Sequence, residues 1–225
     1  MASVSDRVMT RKRVSGNERK ALILAAARRV FARDGFDGAR TLQIAEEAGV
    51  SEALVYRHFP SKRALYRAVL RQIYREQDEN WQALGIPDSS TAAIIRTIKN
   101  YIYSVVLEEH GEMQESYMMI LASLSADGTF ASLLYRRSLR RTSRQLEDAH
   151  DVASAAGDLT GKRLNTVNTA MFIEHVGTML NAITALKPKS RPYASSGEEL
   201  AREAVWFCCR GIGLTDEAIA RYIDR

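Results

Sequence analysis

The stretch Thr41-Leu42-Gln43-Ile44-Ala45-Glu46-Glu47-Ala48-Gly49-Val50-Ser51-Glu52-Ala53-Leu54-Val55-Tyr56-Arg57-His58-Phe59 decides the fold of this 225-residue chain. Ile44, Ala45 and Ala48 line one side of a helix that Thr41 suits as N-cap, and a helix this short needs tertiary support. Gly49 stands where chains leave helices in the left-handed conformation. Ser51 suits the next N-cap, flanked by Val50 and Val55 in the arrangement of a hydrophobic staple, which sets the entry angle of a further helix. Two short helices joined by a glycine turn read as a helix-turn-helix, and Ala45 and Ala48 are small enough to let them cross closely.

Val55 and Phe59 lie one turn apart and belong to the core, so Glu52, Ala53 and Tyr56 project from the opposite side near the amino end of their helix. In helix-turn-helix proteins such residues reach base edges in the major groove while neighbouring groups fix the register on phosphates. Tyr56, His58 and Lys62 suit phosphates by donor chemistry; Ala53 and Leu54 suit a thymine methyl, and Glu52 can accept from cytosine N4. Charge points the same way. Residues 1–75 hold 16 Lys and Arg against 7 Asp and Glu, whereas residues 76–225 hold 16 against 20. A basic third on a mildly acidic remainder predicts a small polyanion-binding module joined to a larger body. Arg11-Lys12-Arg13 belongs to a basic arm that either enters a minor groove or remains a solvated tail.

Upstream, Leu22, Ile23, Ala26, Val30 and Phe31 predict a helix over about 17–34, stopped by Gly35-Phe36-Asp37-Gly38. Downstream, Pro60 and Ser61 start a helix with Leu65, Ala68, Val69, Gln72 and Ile73 on one side, running toward Trp81 as a ~30 Å rod. A linker is expected over 85–90, then helices at 91–109, 113–126, 129–153, 160–186, 197–212 and 215–224, with no strand alternation and no fixed repeat. The expected fold class is all-α: an N-terminal three-helix helix-turn-helix DNA-binding domain over 15–66 and a larger helical effector-binding and dimerisation domain over 67–225.

Two of those helices carry apolar residues around most of their circumference: Met171, Phe172, Ile173, Val176, Met179, Leu180 and Ile183 in one, Leu200, Ala204, Val205, Trp206, Phe207, Cys208 and Ile212 in the other. A helix hydrophobic all round is buried on more than one side. This predicts a homodimer through the helices near 160–186 and 197–212, paired as a four-helix interface. Both helices central in a monomer is the alternative.

The run Thr41 to Ser51, followed by Val55-Tyr56-Arg57-His58-Phe59-Pro60-Ser61-Lys62 and Leu65, resembles the DNA-binding signature of the tetracycline-repressor (TetR) family of bacterial regulators. The resemblance covers residues 17–66, where Thr, Ile-Ala, Ala-Gly-Val-Ser, Tyr, His-Phe and Ser-Lys hold their spacing. It implies an all-helical homodimer whose small N-terminal domain binds double-stranded operator DNA and whose C-terminal domain binds a small-molecule effector. Thr41, Tyr56, His58 and Lys62 match the family's backbone-contacting positions, and Leu42, Glu52, Ala53 and Leu54 fall where base contacts are made. Ser51 and Arg57 complete the DNA-facing set. No base preference can be read from these residue types.

Other chemistry has few carriers. A composition 46% hydrophobic and 26% charged is that of a globular protein. The longest apolar run, Ala21 to Ala27, falls short of the ~18 to 20 residues that cross a bilayer. Residues 1–16 hold no apolar segment of a secretory signal, so the expected compartment is the cytoplasm and no membrane partner is expected. Cys208 and Cys209 are adjacent, which suits two buried helical thiols rather than a disulfide framework or zinc site. His58, His110, His150 and His175 lie far apart without an HExxH pair, so neither metal nor cofactor is expected. Gly211-Ile212-Gly213 lacks the third glycine of a dinucleotide fingerprint, and no GxSxG or Walker sequence occurs, so no enzyme is expected.

Met113, Tyr117, Leu121, Phe172, His175 and Met179 suit a pliant pocket for an apolar or aromatic effector. Core packing accounts for each equally well, and His175 suits a core or interface position besides. Arg136, Arg140 and Arg144 form a stripe that is either a solvated face or the mouth of an anion-tolerant pocket. The reading is a ligand-responsive transcription regulator acting as a repressor. Its rivals are a sequence-indifferent nucleic-acid binder and a helical enzyme with a vestigial DNA module.

Overall fold

The computed structural model describes residues 15–83, 88–107 and 111–224. The triplet Arg11-Lys12-Arg13, positions 85–87 of the expected linker and His110 lie outside the described residues. Ten α-helices and no strand occur among them: α1 (Gly16–Gly38), α2 (Thr41–Ala48), α3 (Glu52–His58), α4 (Lys62–Ala83), α5 (Thr91–Leu107), α6 (Glu112–Leu124), α7 (Thr129–Ala155), α8 (Thr166–Thr184), α9 (Gly197–Gly211) and α10 (Asp216–Tyr222). No single helix among the described residues is long and apolar enough to cross a membrane.

Local chemistry sets the ends. Ser15 and Glu18 form a capping box at the start of α1: Ser15 Oγ accepts from Glu18 N at 3.2 Å, and Glu18 Oε2 accepts from Ser15 N at 2.6 Å. The helix kinks at Gly35 (φ 69°) and carries on to Gly38, beyond the end expected near Asp34. The expected start of the helix near 160 is also corrected. Thr160 N donates to Gly213 O at 2.8 Å and Thr215 N to Asp158 O at 2.9 Å, so this stretch is tied to the turn before α10. The helix begins only at Thr166, where Asn165 Oδ1 accepts from Val167 N and Asn168 N.

Two apolar clusters fill the interior. The first joins α1 to α4 through Ile23, Phe31, Ile44, Val55, Leu65 and Ile73, and extends into the body through Met119, Ile120, Phe130 and Leu134. The second packs α5 against α7, α8, α9 and α10 around Ile95, Ile102, Leu180, Val205 and Ile219. Cys208 and Cys209 are buried in it on α9 as free thiols, and burial pushes them up to about 11 and about 12. On α9 only Phe207 of the large apolar residues is strongly exposed, beside exposed Arg202, Glu203 and Arg210; the expected all-round apolar surface therefore holds for α8 and not for α9.

Between the clusters stands one buried cation. Arg28 on α1 is 2% exposed. Its Nη1 donates to both carboxylate oxygens of Glu76 on α4 at 2.9 and 2.8 Å, and its Nη2 donates to Ser116 Oγ on α6 at 2.7 Å. Glu115 lies 3.4 Å from its Nε. A guanidinium presents five donors in a rigid fork, which lets one side chain join three helices.

Removing this cation strands two carboxylates that are about one quarter exposed. Arg28→Ala is expected to lower stability by about 3 kcal/mol, and Arg28→Met, which keeps most of the volume, by less; urea denaturation of the two variants checks the order.

Candidate nucleic-acid interface

Residues 41–59 fold as the patterning requires. Ile44, Ala45, Val55 and Phe59 are buried, and Gly49 takes the left-handed conformation (φ 65°, ψ 34°) in which a side chain would be strained. Val50 N donates to Ala45 O at 3.0 Å, closing the turn. Ser51 caps α3, its Oγ accepting from Leu54 N at 3.2 Å. The cap of α2 differs from expectation: Arg40 holds the N-cap position, Gln43 Oε1 accepts from Arg40 N at 3.0 Å, and Thr41 is the first helical residue.

Freed from capping, Thr41 joins the two helices. Its hydroxyl donates to Glu52 Oε1 at 2.7 Å and lies 3.0 Å from the Tyr56 hydroxyl. The network holds Glu52 half-buried and fixes Tyr56, which is 46% exposed, on the outer side of α3. Ser51, Ala53 and Arg57 are exposed on the same short helix, Leu54 is half-buried, and Leu42 stands 53% exposed at the start of α2. Arg57 makes no ion pair among the described residues. The face therefore offers the Ala53 methyl, the Tyr56 phenol and, in the last turn, the Arg57 guanidinium.

Two residues expected at phosphates also have surroundings within the protein. Lys62 Nζ donates to Ala39 O at 3.0 Å and Asp37 O at 3.3 Å and lies 4.7 Å from the centre of the Phe36 ring. The ammonium thus caps the end of α1, with one donor left over. His58 is half-buried, and its Nε2 is shielded from solvent without a hydrogen-bond partner among the described residues, so this nitrogen does not face outward.

The positive charge of the amino-terminal third is unevenly used. Arg29 and Arg33 pair with Glu47, and Arg33 also with Asp34, while Arg28 is buried. Arg63, Arg67, Arg71 and Arg75 remain exposed along one side of α4. Their four-residue spacing is a sequence signal that the search for short motifs passed over.

The expected effector residues do not come together. Met113, Tyr117 and Leu121 on α6 are half-buried, with Met113 and Tyr117 packed on the second cluster. Phe172 is 61% and Met179 47% exposed, and His175 is exposed between them, edge-on to Tyr135 at 5.5 Å. The reason is helical phase: Thr169, Gly177, Leu180 and Thr184 turn inward, which puts positions 172, 175 and 179 outside. A cavity of about 120 Å³ lies elsewhere, between α5, the end of α8 and the start of α9, lined by Val106, Thr184, Arg191, Tyr193 and Leu200 among others. Arg136, Arg140 and Arg144 are exposed on α7.

Comparison with known proteins matches this amino-terminal geometry. Residues 23–69 match the family model described as bacterial regulatory proteins, tetR family. Over 84 residues the chain is 54% identical to the HTH-type transcriptional regulator RutR of Escherichia coli K12, which covers 37% of this chain and 38% of RutR. It is 43% identical over 60 residues to the HTH-type transcriptional activator FasR of Mycolicibacterium smegmatis, covering 27% of each. The matches thus span well under half the length of these relatives. Solved structures share the fold across the chain. A tetR-family regulatory protein from Rhodococcus RHA1 superposes with TM-score 0.65 at 22% identity, over 88% of this chain and 99% of that one. AibR, in complex with isovaleryl coenzyme A and operator DNA, superposes with TM-score 0.64 at 18% identity, over 84% and 97%. Residues 23–69 are thus similar to the helix-turn-helix domain of the tetR family of bacterial regulatory proteins, and the chain shares the fold of structures of that kind.

Proposed function

We propose that the protein is a cytoplasmic, ligand-responsive transcription repressor that binds a palindromic operator as a homodimer and releases it when a small effector occupies the helical body. The observation that carries this reading is the outer face of α3, where Ala53, Tyr56 and Arg57 are exposed around a helix held from behind by Val55 and Phe59. An enzyme with a vestigial module has no need to keep that face open.

Dimerisation is supported by the outer side of α8. Phe172 and Met179 are exposed there two turns apart, with half-buried Ala182 and Ile183 beyond them and exposed Leu186 just past the helix end. Exposed apolar side chains clustered on one helix side favour a partner surface, and a two-fold pairing of the same helix in two copies covers them without a second protein. Such a dimer works when its recognition helices sit about 34 to 36 Å apart, one turn of duplex. An effector that prefers another spacing, with ~1 to 3 kcal/mol of coupling, changes operator affinity some 5- to 150-fold. Repression follows from occupancy, since a bound dimer excludes other proteins from the site.

Three outcomes are expected. Arg57→Gln reduces the slope of log affinity against log salt by about one phosphate's worth of counterion release, with a similar loss on every duplex; filter binding at several salt concentrations reads it. Tyr56→Phe, which breaks the link to Thr41, weakens operator binding by roughly 2- to 10-fold, as removal of one hydrogen bond does. Phe172→Glu with Met179→Glu gives a monomer in sedimentation at micromolar concentration that has lost its preference for a palindrome; a monomeric parent protein that still prefers the palindrome contradicts the dimer.

A further inference from the structure

The polar chain that joins α2 to α3 has a direction, and the oxygen positions fix it. Thr41 Oγ1 stands 2.7 Å from Glu52 Oε1 and 3.0 Å from the Tyr56 hydroxyl oxygen. A threonine hydroxyl carries one hydrogen and a carboxylate carries none. Two oxygens 2.7 Å apart repel unless a hydrogen lies between them, so the Thr41 hydrogen is spent on Glu52. The contact between Thr41 and Tyr56 must then be filled from the other side. Tyr56 donates to Thr41, and Thr41 donates to Glu52.

This order decides what the outer face of α3 can offer a bound duplex. The one hydrogen of the Tyr56 phenol is turned inward, so an oxygen on a side chain 46% exposed has only a lone pair left to present. Glu52 accepts through Oε1, and its Oε2 has no partner among the described residues. Ala53 and Leu42, exposed on either side, have no hydrogen-bonding side chain. This part of the face accepts and does not donate. A phosphate needs donors and carries the same charge as Glu52, so it is repelled here. What fits is an uncharged N–H on a base edge. The major groove presents that group at cytosine N4 and adenine N6, whereas guanine and thymine turn acceptors outward. Adenine also sets the N7 lone pair beside its amino group, which faces a carboxylate unfavourably; cytosine does not.

We propose that Glu52 reads the N4 amino group of one cytosine in each operator half-site, and that Thr41 and Tyr56 are the positioning residues that hold its carboxylate for that contact. The proposal rests on the reading that α3 enters a major groove, and it names the base met there. The expected phosphate contacts of Thr41 and Tyr56 give way to a role in base choice. A carboxylate on this face weakens binding to every duplex through repulsion by the phosphates, and only a duplex with the matching donor offsets that loss. Specificity therefore comes from what the face refuses as well as from what it accepts.

The test uses the full chain to select an operator from random duplexes. Affinities are then measured with each half-site cytosine replaced in turn by the other bases and by N4-methylcytosine, which keeps the pair with guanine and removes the N–H that faces the groove. One cytosine per half-site is expected at which every replacement weakens binding by about 5- to 100-fold. Glu52→Ala is expected to remove the discrimination at that cytosine, keep the preferences at other positions, and bind an unrelated duplex more tightly because the repulsion is gone. Thr41→Val and Tyr56→Phe are expected to reduce the same discrimination several-fold, and Thr41→Ser to restore it; a purely structural role would lower affinity at all positions alike. An operator with no such cytosine, or a cytosine preference that survives Glu52→Ala, overturns the proposal. If circular dichroism shows that a variant does not fold, the base replacements on the unaltered protein decide alone. A selected operator indifferent to cytosine N4 sinks this inference and leaves the regulator reading standing; failure to prefer any duplex sinks the regulator reading itself.

Discussion

The buried guanidinium of Arg28 is the constraint on which the arrangement depends. It rises from the first helix of the helix-turn-helix module and ends on a carboxylate of α4 and on the first turn and a half of α6. Taking a cation out of water is costly, and the cost is recovered only while both acidic partners and the serine hydroxyl stay in place. An apolar contact tolerates sliding by an ångström or two; a guanidinium bonded through Nη1 to Glu76 and through Nη2 to Ser116 does not. The module and the body are consequently held in one discrete arrangement, and any other arrangement has to dismantle the fork as a unit. That is the property required of an element that switches rather than drifts.

Much of the fold was legible because it rests on short-range chemistry. Gly49, Ser51, Val50 and Val55 are each decided within a few residues, and the structure keeps all four in their expected places. The errors arose where a distant partner wins. Thr41 reads as a cap until Glu52 and Tyr56 arrive from the next helix to take its hydroxyl. The stretch from 160 reads as helix until the turn at Gly213 claims its backbone.

The candidate binding residues divide along the same line. The set proposed to face DNA lies in one contiguous stretch, so its phase is fixed by two core residues, Val55 and Phe59. The effector set was drawn from residue type across two helices whose relative rotation no local pattern records. Phe172, His175 and Met179 accordingly stand on the outer surface, while Glu174 and Thr178 of the same helix are half-buried and buried. A glutamate and a threonine in an apolar helix read as solvent-facing; only the helices packed around them reveal otherwise.

The two adjacent thiols of α9 add a negative property of practical weight. Nucleophilic attack on oxidants and alkylating agents requires thiolate, and burial holds Cys208 and Cys209 in the thiol form far above neutral pH. While folded, the protein is chemically deaf to peroxide and maleimide alike. Labelling at these sulfurs therefore reports opening of the α5–α9 core, which makes them a built-in clock for unfolding rather than a redox sensor.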